Sequence, residues 1–176
     1  MLKTYLFIIT ILLPLTACST VAPMTCEDDW QLTGYFVPIE KDYISGSSNK
    51  VKVKKGETIS FDRAFLAAVK LEGWGKTNAG WYLGFYGNQW HKSQYPLNAK
   101  GQPLTLSSIA ADTNQLPFGR QVFIPKLNST IKQPFIVTDV GQAIKGRRID
   151  IYTGEGKEAQ QLTYLVTKKH QVCWKN

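Results

Sequence analysis

The chain has 176 residues, room for one ordinary domain rather than two. Hydrophobic residues make up 43% and charged residues 19%, with 14 Gly and 8 Pro, a globular composition that excludes disorder, collagen and a coiled coil. Lys and Arg number 21 against 13 Asp and Glu, a net charge of +8 that favours polyanions.

At the start, Lys3 supplies a positive charge and Tyr5 to Leu13 is apolar except at Thr10. That run is shorter than the ~20 residues of a membrane-spanning helix, so it reads as a secretory signal. Leu15-Thr16-Ala17-Cys18 resembles a bacterial lipobox, which implies cleavage before Cys18 and its lipidation. Ordinary cleavage nearby is the alternative. Ser19 follows the cysteine, where Asp would imply retention in the inner membrane, so the expected place is the periplasmic face of the outer membrane. Removing residues 1–17 leaves 159 residues and, without Lys3, a balance of +7. Residues 18–26 read as a lipidated tether and 27–176 as a single domain. Cys26 and Cys173, near the two ends of the exported chain, are expected to form a disulfide; two free thiols are the alternative.

Gln31 to Pro38 carries aromatic and β-branched residues and ends at Pro, the pattern of a strand. Ile44 to Asn49 reads as a loop, and Val51 and Val53, alternating with Lys50, Lys52 and Lys54, as a half-exposed strand. Ser60 is a candidate cap for a helix from Phe61 to about Glu72, with Phe61, Ala64, Phe65, Ala68, Val69 and Glu72 at helical spacing and Gly73 as its stop. Short strands are expected at Trp81–Tyr86, Leu104–Ile109 and Gln121–Pro125, with firmer ones at Pro134–Asp139 and Arg147–Tyr152. In the last of these, Ile149 and Ile151 face away from Arg148, Asp150 and Tyr152. Gly156 to Gln161 reads as a helical turn, and Tyr164–Val166 and Gln171–Trp174 as strands that close the sheet. The whole is a small, mainly β barrel with one or two short helices.

His91 and His170 are far apart and no C-x-x-C or H-x-x-x-H spacing exists, so neither a metal nor any other cofactor is expected. No nucleophile elbow or phosphate-cradling glycine loop is present. Carboxylates remain. Asp139 ends an apolar strand and Asp150 lies between two isoleucines, positions where partial desolvation would raise a carboxyl pKa and suit it to proton transfer. Lys145, Arg147 and Arg148 would act the other way. On spacing alone, an ion pair with an arginine, or a turn role for Asp139, carries more weight.

The segment Ile109 to Ile124, followed by Phe135 to Ala159, closely resembles the three-aspartate (3D) domain family. Its aspartates stand in A-x-D, D-x-G-x-A-I-K-G and x-x-D-I-Y contexts, as do Asp112, Asp139 and Asp150. That family includes the barrel of membrane-bound lytic transglycosylase A. Thr33-Gly34-Tyr35-Phe36-Val37-Pro38 and Glu72-Gly73-Trp74-Gly75 are more weakly similar to its other elements, with Trp74 in place of a small Ser.

The resemblance implies a six-stranded double-psi β-barrel and a lytic transglycosylase. Such a lyase cleaves the MurNAc–GlcNAc β-1,4 bond of peptidoglycan without water and leaves 1,6-anhydro-MurNAc. Asp150 would act as general acid and then base, and Asp139 would tune and orient it. Asp112 would brace a loop, and Tyr35, Lys145 and Tyr152 would support the site or bind substrate. Tyr35, Trp74, Trp81 and Trp90 are candidates for stacking on sugars, with core packing as the rival reading of each. The family enzyme builds its groove with a second domain. Here the groove must come from residues such as 40 to 100.

The competing reading is a non-catalytic peptidoglycan-binding lipoprotein on the same barrel. An aspartic protease, suggested by Thr138-Asp139-Val140-Gly141, would need a dimer to supply its second loop. The expected partners are glycan strands and, through the lipid, a membrane. No nucleic acid is expected, and the protein should be a monomer.

Overall fold

The longest strand, β1 (Met24–Val37), lies between two partners that come from the far end of the chain. The computed structural model describes residues 23–54, 56–128 and 134–175. The segment expected to be a signal peptide, Cys18 and the first part of the expected tether lie outside the described residues. β1 begins well before Gln31 because β11 (Lys168–Lys175) pairs with it antiparallel from Met24 onward, with Cys26 opposite Cys173. These two cysteines form a disulfide with their Cα atoms 4.0 Å apart, joining residues separated by 147 positions.

Six strands close a barrel in the order β1, β10 (Arg148–Glu155), β7 (Ser108–Ala111), β9 (Phe135–Asp139), β8 (Gln121–Phe123) and β11. The β1–β10 and β7–β9 pairs are parallel; the other neighbours are antiparallel. Alternation fills the interior, because side chains two apart on a strand share a face. Trp30 and Leu32 on β1, Ile149 and Ile151 on β10, Ile109 and Ala111 on β7 and Phe135 and Val137 on β9 form one buried cluster. Thr33 and Asp150, between those positions, face outward.

Two expectations fail in the C-terminal part. Tyr164–Val166 is no strand: the predicted helical turn runs on as α3 (Gly156–Val166). Gly34 makes room for it, since a Cβ there would lie 2.9 Å from the Thr163 Cα and from a Val166 methyl carbon. The helix therefore packs closely on β1, and that contact outweighs the strand preference of aromatic and β-branched residues. Gln121–Pro125 likewise divides into β8 and a single turn, α2 (Pro125–Asn128).

Residues between β1 and β7 build an insertion with its own core. A 3-10 turn (Glu40–Asp42) leads to the hairpin β2 (Ser48–Lys52) and β3 (Thr58–Asp62), then to α1 (Arg63–Glu72) and the sheet β4 (Trp74–Lys76), β5 (Tyr82–Tyr86) and β6 (Gln89–Ser93). Ser48 and Asn49, expected in a loop, belong to β2. The helix is capped by Asp62, whose Oδ1 accepts from Ala64 N at 2.7 Å; Ser60 is held in the hairpin opposite Lys50 and cannot cap it. Gly73 ends α1 at φ 89°, a conformation that favours glycine. Phe65, Leu66 and Val69 pack with Val51, Val53, Phe61 and Leu83.

The insertion meets the barrel through Trp74, Tyr82, Tyr152 and Val37. Glu155 at the end of β10 ties the joint, accepting from Lys76 Nζ at 2.8 Å and from Tyr82 OH at 2.5 Å.

Candidate active site

A single row of cross-strand partners places the carboxylates. Thr33 is opposite Asp150, Asp150 opposite Ala110, and Ala110 opposite Asp139, so the row crosses β1, β10, β7 and β9. Ala110 keeps the floor low between the two aspartates. Above it opens a cavity of about 660 Å³ between barrel and insertion. Asp139, Asp150 and Tyr35 line the barrel side, and Lys70 to Trp74, Phe85, Tyr86 and Leu97 to Ala99 the other. The wall expected from residues 40 to 100 is thus provided by α1, β5 and the loop after β6.

Asp139 and Asp150 are held differently. Asp139 Oδ1 accepts from Val140 N and Ala99 N, both at 2.9 Å, and Oδ2 accepts from Tyr35 OH at 3.4 Å. Both of its oxygens are engaged. Asp150 Oδ1 accepts from Thr33 Oγ1 at 2.7 Å, while its Oδ2 has no hydrogen-bond partner among the described residues. Burial raises the Asp150 pKa, the Thr33 bond and Arg148 pull it back, and the charge of Asp139 raises it again. Burial also raises Asp139, against its three donors. Tyr35 is pushed well up by burial and by both aspartates, which keeps its hydroxyl a donor.

The arginine pairing considered from spacing is not formed at either aspartate. Arg147 pairs with Glu27 at 3.2 Å, and the Arg148 guanidinium donates to Ala143 O at 3.4 Å.

The remaining candidates lie around this centre rather than in it. Asp112 is outside the cavity, where Oδ2 accepts from Gly146 N at 2.8 Å and Oδ1 from Asn114 N at 3.0 Å, clamping two loops together. Lys145 is exposed and acts on Asp112, not on the cavity. Tyr152 is buried beneath Tyr35, their ring centres 5.5 Å apart. Trp74 lines the cavity but is mostly buried, its Nε1 donating to Leu97 O at 2.9 Å. Trp81 and Trp90 pack on the insertion core, so neither offers a face to the cavity.

Sequence reasoning missed Glu72. Its carboxyl, at the last turn of α1, lines the same cavity and accepts from Phe36 N at 3.2 Å through Oε2. Burial drives its pKa to about 7, against the Phe36 bond and with help from the Asp150 charge. The signal was present: Glu72 ends an otherwise apolar helical stripe, an unusual place for a carboxylate. Among the described residues, no group of three or more His, Cys, Asp or Glu side chains is arranged to hold a metal ion.

Residues 107–174 match the 3D domain. No curated protein sequence matches the chain. Among solved structures, Escherichia coli MltA with bound chitohexaose matches at a TM-score of 0.66 and 14% identity, over 84% of this chain and 71% of that one. MltA from Neisseria gonorrhoeae matches at 0.56 and 14%, over 86% and 72%, and a membrane-bound lytic murein transglycosylase from Agrobacterium tumefaciens at 0.55 and 15%, over 82% and 73%. These shares take in the insertion as well as the barrel. The chain has a 3D-domain-like fold. In particular, it matches the fold of the MltA lytic transglycosylases.

Proposed function

We propose that the protein is a lytic transglycosylase of peptidoglycan, built on a barrel of the double-psi type with the insertion as its second groove wall. The observation that carries this reading is the Oδ2 of Asp150, which has no hydrogen-bond partner among the described residues, in a cavity where both oxygens of Asp139 are engaged. One carboxyl is left with an open lone pair, and burial favours its protonated form.

In the proposed reaction, Asp150 gives its proton to the glycosidic oxygen between MurNAc and GlcNAc as the C1–O bond breaks. The 6-hydroxyl oxygen of MurNAc then bonds to C1, and the proton of that hydroxyl returns to the Asp150 carboxylate. No water is consumed and the product carries a 1,6-anhydro ring. Thr33 holds the oxygen that does not react, and Asp139, fixed by Ala99, Val140 and Tyr35, sets the local charge. Tyr86 is half exposed at the rim and Trp74 lies beside it, ring centres 5.8 Å apart, which offers apolar surface to a sugar face.

Signal-peptide cleavage and lipidation of Cys18 complete the reading and place the enzyme on the periplasmic face of the outer membrane, acting as a monomer. Purified sacculi incubated with the protein, followed by analysis of the sugar ends, test it. Anhydro ends are expected; reducing ends would mean hydrolysis, and binding without release would favour a peptidoglycan-binding module.

A further inference from the structure

Among the described residues that line the cavity, three carry carboxyls, Asp139, Asp150 and Glu72, and one carries a positive charge, Lys70. Lys70 is exposed on α1, two residues before Glu72, and so stands at the rim of the wall that the insertion supplies. Its ammonium group lies over two aromatic rings, 5.1 Å from the centre of Phe85 on β5 and 5.7 Å from that of Trp90 on β6. Contacts of this kind hold a long side chain in place without neutralising it.

Other lysines of the insertion end on a carboxylate. Lys76 pairs with Glu155 at 2.8 Å, and Lys92, which also lies over an aromatic ring, that of Trp81, pairs with Glu57 at 3.8 Å. Lys70 forms no ion pair among the described residues. Its charge is therefore open to a ligand. An anionic polymer approaching three carboxyls is repelled unless a cation meets its charge at the entrance.

Resting on the glycan substrate proposed above, we infer that Lys70 is a specificity-determining residue that binds a carboxylate of the substrate strand, so that acidic glycans are taken in preference to neutral ones. Two groups of peptidoglycan supply that chemistry: the lactyl carboxylate of a MurNAc without peptide, and the carboxylates of a stem peptide. Either accepts a charge-assisted hydrogen bond from the ammonium group. Half-exposed Tyr86 lines the same cavity, so the site offers apolar surface to a sugar face and a cation to the acidic substituent. Lys70 acts on binding and takes no part in proton transfer.

The test is the binding of three probes to the whole protein in the Asp150→Asn background, which prevents cleavage during the measurement. The probes are chitohexaose, which is neutral, a peptide-free GlcNAc–MurNAc hexasaccharide with free lactyl carboxylates, and the same hexasaccharide carrying stem peptides. With Lys70 present, at least one acidic probe should bind about 5-fold more tightly than chitohexaose at low salt, and the difference should shrink at high salt. Lys70→Met keeps an apolar stem over Phe85 and Trp90 and removes the charge; it should abolish the preference and leave chitohexaose binding as it was. Lys70→Arg should keep the preference. A loss seen with the peptide-free hexasaccharide assigns the contact to the lactyl group, and a loss confined to the peptide-bearing one assigns it to the stem peptide. A preference that survives in a folded Lys70→Met protein would overturn the inference. So would a parent protein with no preference, or an equal loss on all three probes, since Lys70 would then only shape the wall. Because binding is read without turnover, the lyase reading is judged separately: a wild type that releases no anhydro ends, yet loses its preference with Lys70, refutes the lyase and keeps the carboxylate site. A protein that binds none of the probes sinks both.

Discussion

Thr33 Oγ1 donates to Asp150 Oδ1 at 2.7 Å, and the two residues are direct partners across the parallel β1–β10 pair. The bond uses one lone pair of the carboxylate and fixes its plane. It also stabilises the charged form and so restrains the rise in pKa that burial produces.

Thr33→Val preserves the shape and removes the donor. The Asp150 pKa should rise further, and the alkaline limb of activity should move to higher pH. Stability should fall by about 1–2 kcal/mol, as expected when a half-buried acceptor loses its partner. A pH–rate profile beside a denaturant curve checks both; a shift of that limb to lower pH would contradict the assigned role.

Asp112 acts as a clamp between two loops. Two backbone amides hold its pKa below the ordinary value, so its contribution to stability is present above the unfolded pKa and is lost as pH falls through the folded one. Asp112→Ala should melt below the wild type at neutral pH, and the gap should close in acid. Melting curves at several pH values measure this. A gap that widened in acid would rule out the clamp.

Glu72 has the opposite sign. Its folded pKa of about 7 lies above the usual value of 4.5, so the folded state holds the proton more tightly. The stability it contributes is full below pH 4.5 and lost as pH rises to about 7. Glu72→Gln cannot ionise. Relative to wild type it should gain in melting temperature over that window, by a few degrees if the effect is ~1 kcal/mol. Parallel curves for the two proteins would show that Glu72 titrates normally.

Much of the barrel is legible in the residues themselves. The alternation Arg148-Ile149-Asp150-Ile151 sets the inward and outward faces of β10, whereas Asp139 and Asp150 stand out as a pair only through the resemblance to the 3D domain, spacing alone favouring an ion pair or a turn. What remained hidden depends on partners distant in the chain. Met24–Trp30 is polar and becomes a strand because β11 and the Cys26–Cys173 bridge pair it. The strand expected at Tyr164–Val166 is helical because Gly34 on another strand lets the helix approach. Ala110 matters only through register, which puts it between two aspartates, and Ala99 only because its amide reaches Asp139 from the insertion.

The central claim is that Asp150 carries the proton in the cleavage of glycan strands, and one substitution tests it most directly. Asp150→Asn has nearly the same size and keeps an acceptor for Thr33, but an amide cannot donate the acid proton. Release of 1,6-anhydro ends from sacculi should fall by at least ~10²-fold, a usual general-acid contribution, while melting temperature and sacculus binding are kept. Equal release by the wild type and a well-folded Asp150→Asn protein would contradict the account.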